Sequence, residues 1–139
     1  MLTVQKSLRI PKDIIEEIEE VAKDSGRDFT SAANELLTEG LKAHRCPGIV
    51  FSEGVSGKRA RIAGTGIEVW ELIAAYKSVK EDYKRLKKTY HWLTEQQIKS
   101  AIGYYALYAE EIERLISENE GVTADAIKKR YPFLAGAGR

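Results

Sequence analysis

The stretch from Met1 to Pro11 limits what this chain can fold into more than any other part of it. Thr3, Gln5, Ser7 and Arg9 alternate with Leu2, Val4, Lys6, Leu8 and Ile10, and Pro11 ends the pattern. Period-two alternation rich in Val, Ile and Thr predicts a half-buried strand. One face is apolar apart from Lys6. The other is a row of hydrogen-bonding side chains with no acid among them. A lone strand leaves its backbone donors and acceptors unpaired, and nothing nearby in sequence offers a second strand. The simplest partner is the same strand from a second copy of the chain. An antiparallel ribbon of that kind, polar on its outer face, fits the DNA major groove. The bland alternative is a ribbon that only dimerises; the acid-free outer face and Arg9 favour DNA.

The residues that follow supply what such a ribbon needs. Pro11 suits the first turn of a helix. Ile14, Ile15, Ile18, Val21 and Ala22 follow a 3.6-residue period, with Glu16, Glu17, Glu19 and Glu20 opposite. Gly26 is placed to end this helix. Phe29, Ala33, Leu36, Leu37 and Leu41 stripe a second helix, for which Asp28 or Thr30 is the N-cap. Strand, helix, turn and helix in so short a span bury too little to stand alone, and an intertwined dimer solves both shortages.

This segment, roughly residues 2 to 44, resembles the ribbon-helix-helix DNA-binding proteins. The resemblance rests on the alternating strand ending Arg9-Ile10-Pro11, the Ile14/Ile18/Val21 helix, and the Gly26-Arg27 turn before a second helix. It implies that Gln5, Ser7 and Arg9 read bases and that the second helix's N-terminus, around Phe29, Thr30 and Ser31, holds a backbone phosphate. The chemistry agrees, since Arg forks onto guanine, Gln onto adenine, and free helix amides suit an anion. Asp28 departs from the neutral residue common in the family, and its charge opposes a phosphate there.

His44-Arg45-Cys46-Pro47-Gly48 reads as a link to a second domain. Beyond it, Ile49-Val50-Phe51 and Lys58 to Ala63 are short strand candidates around a Glu53 to Gly57 turn, and Gly64-Thr65-Gly66 turns the chain again. Helices are predicted from about Glu68 to Ser78 and from Lys80 to Lys88, the latter strongly basic. Thr94 with Gln97 forms a capping box. It opens one long helix striped by Ile98, Ala101, Ile102, Tyr105, Ala109, Ile112, Leu115 and Ile116, which Gly121 is expected to end. Thr123 to Arg130 can continue as helix.

This second half resembles the domain of unknown function 433 family. The matching residues are Pro47-Gly48-Ile49, Gly57-Lys58, the run from Gly64 to Glu71, Leu93-Thr94, and Ala101 to Tyr105. Gly66 and Glu68 depart from an Arg and a Pro common in that family. The resemblance implies a trihelical, helix-turn-helix-like domain with a small β-hairpin, and an antitoxin encoded beside a PIN-like ribonuclease toxin.

Other chemistries find little support. The Gly64-Thr65-Gly66 run lacks the third glycine of a dinucleotide loop, Val69 standing in its place, and Ser56-Gly57-Lys58 lacks the upstream glycine of a phosphate loop. His44 and Cys46 lie close in sequence, but His91 is distant and no carboxylate cluster joins them, so neither metal nor other cofactor is expected. No nucleophile–base arrangement stands out, and an enzyme is not expected. Lys58, Arg59 and Arg61 make one basic cluster, a candidate second patch; Lys77, Lys80, Lys84, Arg85, Lys87 and Lys88 make another. Tyr104, Tyr105, Tyr108, Trp70 and Trp92 suit a domain core or dimer surface. Tyr131, Phe133 and Leu134 in the tail are candidate partner contacts.

Composition bounds this reading. A hydrophobic share of 43% and a charged share of 31% describe a soluble globular protein, with no apolar run of membrane-spanning length and no signal-peptide core. One cysteine fits a reducing cytoplasm. The net charge of +1 gives no global pull toward nucleic acid, so DNA contact must come from local patches. The expectation is a mainly α homodimer, or higher even oligomer, with three parts. Residues 1–45 form a ribbon-helix-helix unit with an intermolecular two-stranded ribbon, residues 46–120 a helix-turn-helix-like domain, and residues 121–139 a tail. It is expected to act as an antitoxin-type repressor that binds operator DNA and neutralises a toxin protein. The alternative is a dimerising interaction module that inhibits a partner without reading DNA.

Overall fold

The computed structural model describes the backbone of residues 2–54 and 57–130; Tyr131, Phe133 and Leu134 lie outside the described residues. The chain divides into two compact units, Met1–His44 and Arg45–Arg139.

In the first unit residues 2–10 form neither helix nor strand. The ladder partner that their alternation predicts is absent among the described residues. Pro11, extended at φ −53° and ψ 144°, precedes helix α1 (Lys12–Ser25), and its carbonyl accepts the Ile15 amide at 3.1 Å. Gly26 ends α1 in the left-handed region at φ 67°, and the Arg27 amide reaches back to the Ala22 carbonyl at 2.9 Å. That closure suits glycine, which has no Cβ to clash there. Helix α2 (Phe29–Arg45) follows, with Asp28 as its cap: the carboxylate accepts the Ser31 amide at 2.8 Å.

Both stripes predicted for these helices exist, yet they cover almost nothing. Among the described residues of this unit, Ala22 and Ala32 alone are buried. Leu8, Leu37 and Leu41 keep 69%, 64% and 63% of their surface, and Ile14 and Val21 more than two-fifths. Leu8, Ile14, Val21 and Leu37 line an open apolar groove of ≈ 480 Å³ between α1 and α2.

The second unit has a core of its own. Strands β1 (Ile49–Gly54) and β2 (Gly57–Ile62) pair antiparallel with Ile49 opposite Ile62 and Phe51 opposite Ala60. The Thr65 hydroxyl donates to the Ile62 carbonyl at 2.8 Å and accepts the Ile67 amide at 3.0 Å, which turns the chain into helix α3 (Val69–Ser78). The basic helix starts later than its sequence suggests. Lys80 and Glu81 sit at φ 54° and 58°, outside helical space, so α4 runs Tyr83–Thr89 with Asp82 capping the Lys84 and Arg85 amides.

Thr94 and Gln97 close the expected capping box at 3.0 and 2.9 Å and open α5 (Glu95–Leu107). The single long helix expected here is in fact two. Tyr108, at φ −127° and ψ 45°, separates α5 from α6 (Ala109–Arg130), which then runs straight through Gly121. The Tyr108 amide still reaches the Tyr104 carbonyl and the Ile112 amide the Tyr108 carbonyl, at 2.9 and 3.2 Å. The hydrogen-bond ladder, and so the apolar period, therefore survives the bend. Turning there lets Ile112, Leu115 and Ile116 join Val69, Leu72, Ile73, Leu86, Leu93, Ile98 and Tyr104 in one buried cluster. The Tyr104 hydroxyl donates to Glu111 Oε2 at 2.6 Å across the same bend. Lys77 of α3 and Tyr105 of α5 both hydrogen-bond Glu113 of α6, tying the three helices at the surface. No helix among the described residues is long and apolar enough to cross a membrane.

Candidate nucleic-acid interface

Gln5, Ser7 and Arg9 are exposed and belong to the segment, residues 2–10, that forms neither helix nor strand. Phe29, Thr30 and Ser31 lie in the first turn of α2 and are also exposed. The cradle they form is partly filled from within. The Ser31 amide is taken by Asp28, and the amide and hydroxyl of Ser31 hold that carboxyl below its ordinary value of 3.8, so it is charged at neutral pH. A phosphate approaching this helix end meets one committed amide and one negative charge. Beside it Arg27 pairs with Glu35.

Lys58, Arg59 and Arg61 all lie on β2, but they do not form one outward patch. Arg59 Nη1 lies 3.5 Å from Glu68 Oε1, with both side chains largely covered. Arg61 donates from Nη1 to the Thr65 carbonyl at 2.9 Å. Two of the three cations thus brace the loop between β2 and α3; Lys58 is exposed.

The cations of α4 are differently placed. Leu86 is buried and Tyr83 partly so, which turns Lys84, Arg85 and Lys88 to solvent. Lys87 instead caps the following turn, donating to the carbonyls of His91 and Leu93. In that turn Trp92, 59% exposed, stacks at 5.3 Å against both Tyr90 and His91. Of the aromatic residues singled out in the sequence, Tyr104 is core and Trp92 is surface.

Sequence reasoning missed one concavity. Gln96, Ser100, Gly103 and Leu107 share a stripe of α5 opposite Ile98, Ala101 and Tyr105, and together with Lys99 and the entry segment Arg45–Pro47 they enclose ≈ 330 Å³. Gly48 lets the entry segment lie close, because a Cβ there would stand 2.8 Å from the Ser100 hydroxyl. Its sequence signal is the Gln96/Ser100/Gly103 stripe, on the side of the helix away from the apolar one.

Among the described residues no three His, Cys, Asp or Glu side chains group to hold a metal. Cys46 is buried, and His44 is exposed.

What these features define is a mainly helical chain of two units, a coreless helical pair and a self-sufficient hairpin-and-helix domain. Residues 49–105, from β1 to near the end of α5, are matched by the family described as Protein of unknown function (DUF433). The second unit is therefore similar to that family, and the match does not extend to the first unit. No curated protein and no solved structure matches the chain.

Proposed function

We propose that the protein is an antitoxin-type transcriptional repressor that binds operator DNA as a homodimer through its N-terminal unit and holds a PIN-like ribonuclease toxin through its second unit. The observation that carries this reading is the apolar face of the first unit. Leu8, Ile14, Val21, Leu37 and Leu41 stand open to water, and residues 2–10 have no ladder partner among the described residues. A second copy satisfies both demands at once: two segments pair as a ribbon, and two helical faces close on each other. This is the ribbon-helix-helix arrangement, and it would bring Gln5, Ser7 and Arg9 of both protomers onto one outer face. Exposed apolar patches of this extent on a soluble chain mark interaction surfaces. The toxin role rests on the family likeness of the second unit, whose core is complete without a partner.

The test is titration of the full chain against the duplex upstream of its own reading frame, at fixed salt. Arg9→Ala is expected to weaken that duplex by about 1–3 kcal/mol, the worth of one bidentate base contact, while leaving the dimer intact. Equal affinities for the two proteins would reject base reading by Arg9. The alternative, an interaction module that ignores DNA, is favoured by the Asp28 carboxylate at the α2 end. It predicts no salt-dependent affinity for that duplex.

A further inference from the structure

The concavity on α5 is built for an anion. Its rim carries Arg45 and Lys99, its lining contains no acid, and Gln96 and Ser100 add hydrogen-bonding groups. Arg45 lies 5.7 Å from the centre of the Tyr108 ring and meets no carboxylate among the described residues. Lys99 is also approached by Glu95, at 2.9 Å, in a pair with both side chains about two-thirds exposed. Such a surface pair is weak and readily exchanged. Pro47, Leu107 and the side of Tyr104 provide an apolar floor.

Gly103 sharpens the case. It sits inside α5, where glycine costs about 1 kcal/mol relative to alanine. A Cβ there would meet nothing within 4 Å, so packing does not require the glycine. Its consequence is an open wall, through which a ligand can approach the helix backbone.

We propose that this concavity binds a backbone phosphodiester of nucleic acid, with Arg45 and Lys99 supplying the charge and the apolar floor taking the sugar. A polyanion is favoured over a single small anion by the exposed cations of α4, the helix that precedes α5 in the chain. Lys84, Arg85 and Lys88 of α4 face solvent with no ion pair among the described residues. A succession of unneutralised cations in a chain of net charge +1 suits a ligand whose charges repeat. The proposal rests on the DNA-binding reading for its partner but not on the ribbon for its contacts.

The experiment is an amide chemical-shift titration of the full chain with a short duplex of unrelated sequence, and in separate arms with inorganic phosphate and adenosine monophosphate. With the duplex, the Gln96, Lys99, Ser100 and Gly103 amides are expected to shift and saturate. Gly103→Glu is expected to weaken that binding about tenfold, as a like charge near a phosphate does, and Gly103→Ala, which puts only a methyl group into the open wall, by a smaller factor. Both substitutions enter open space, so the folded spectrum serves as its own control. Absence of α5 shifts, or equal binding by the Gly103→Glu protein, overturns the proposal. So does saturation by phosphate or the mononucleotide as tight as by the duplex. Gln5, Ser7 and Arg9 report on the ribbon in the same spectra, so failure of the ribbon and failure of this site are read separately.

Discussion

Replacing Leu37 by alanine tests whether the first unit is half of a dimer. Complete burial of a leucine side chain is worth about 1.5–3 kcal/mol. Leu37 keeps 64% of its surface in the single chain. Covering that remainder by a second copy therefore contributes about 1–2 kcal/mol per protomer, and alanine forfeits most of it. Two-fold symmetry counts the loss twice, so the dimer should weaken by about 2–4 kcal/mol, or roughly 30- to 700-fold in its dissociation constant. Because alanine is a better helix former than leucine, weakened self-association cannot be blamed on a weakened α2. Sedimentation equilibrium across a range of concentrations measures the change, with Val50→Ala in the second unit as a control of similar chemistry that should leave association untouched. A wild-type chain that stays monomeric at high concentration, or a Leu37→Ala protein that associates as tightly as wild type, refutes the reasoning.

Asp28→Asn keeps a cap for the Ser31 amide but removes a charge, so duplex affinity should rise, as fluorescence anisotropy would show. The same change bears on acid stability. Asp28 is depressed below 3.8 by its bonds to Ser31, so its stabilising contribution is fully present above that value and lost as pH falls through the lower folded value. Denaturant unfolding below pH 4 should therefore be less pH-dependent in the Asn variant, and an identical acid limb would count against the cap. Tyr104→Phe removes the bond to Glu111 and should cost about 1 kcal/mol in thermal unfolding of the second unit; no change would mean that the bond does not hold the α5–α6 bend. Finally, heating should show a transition that rises with protein concentration, from the first unit, and one that does not, from the second. A single concentration-independent transition would contradict the division.

Helices were legible wherever the signal was local. The Gly26 stop, the Thr94–Gln97 capping box and the two hairpin strands on either side of the Glu53 to Gly57 stretch follow from spacings of a few residues, and the structure has them. The errors came where tertiary packing decides. Nothing in the order of Lys80 and Glu81 announces a left-handed backbone, and the bend at Tyr108 preserves the hydrogen bonds that generate the apolar period. Periodicity measures a ladder, and a ladder that bends without breaking keeps its rhythm. Gly121 failed as a stop for the complementary reason: a glycine inside a helix is a modest cost that neighbouring residues can absorb.

The site divides along the same line. Arg59 and Arg61 look alike in sequence to Arg85, yet the first two are drawn into a loop by Glu68 and the Thr65 carbonyl, while the third faces water. Charge can be counted from a sequence, but whether it is spent inside the fold depends on how the chain turns to bring partners four and nine residues on back to it. The apolar stripes of α1 and α2 present the converse. Their periodicity predicts a buried face, and in the single chain that face is bare. A pattern in sequence records the surface that a residue covers in the assembled molecule. Under the proposed function the surface that the single chain leaves uncovered is supplied by a second copy, and residues 2–10, which form no ladder among the described residues, lie in the same unit.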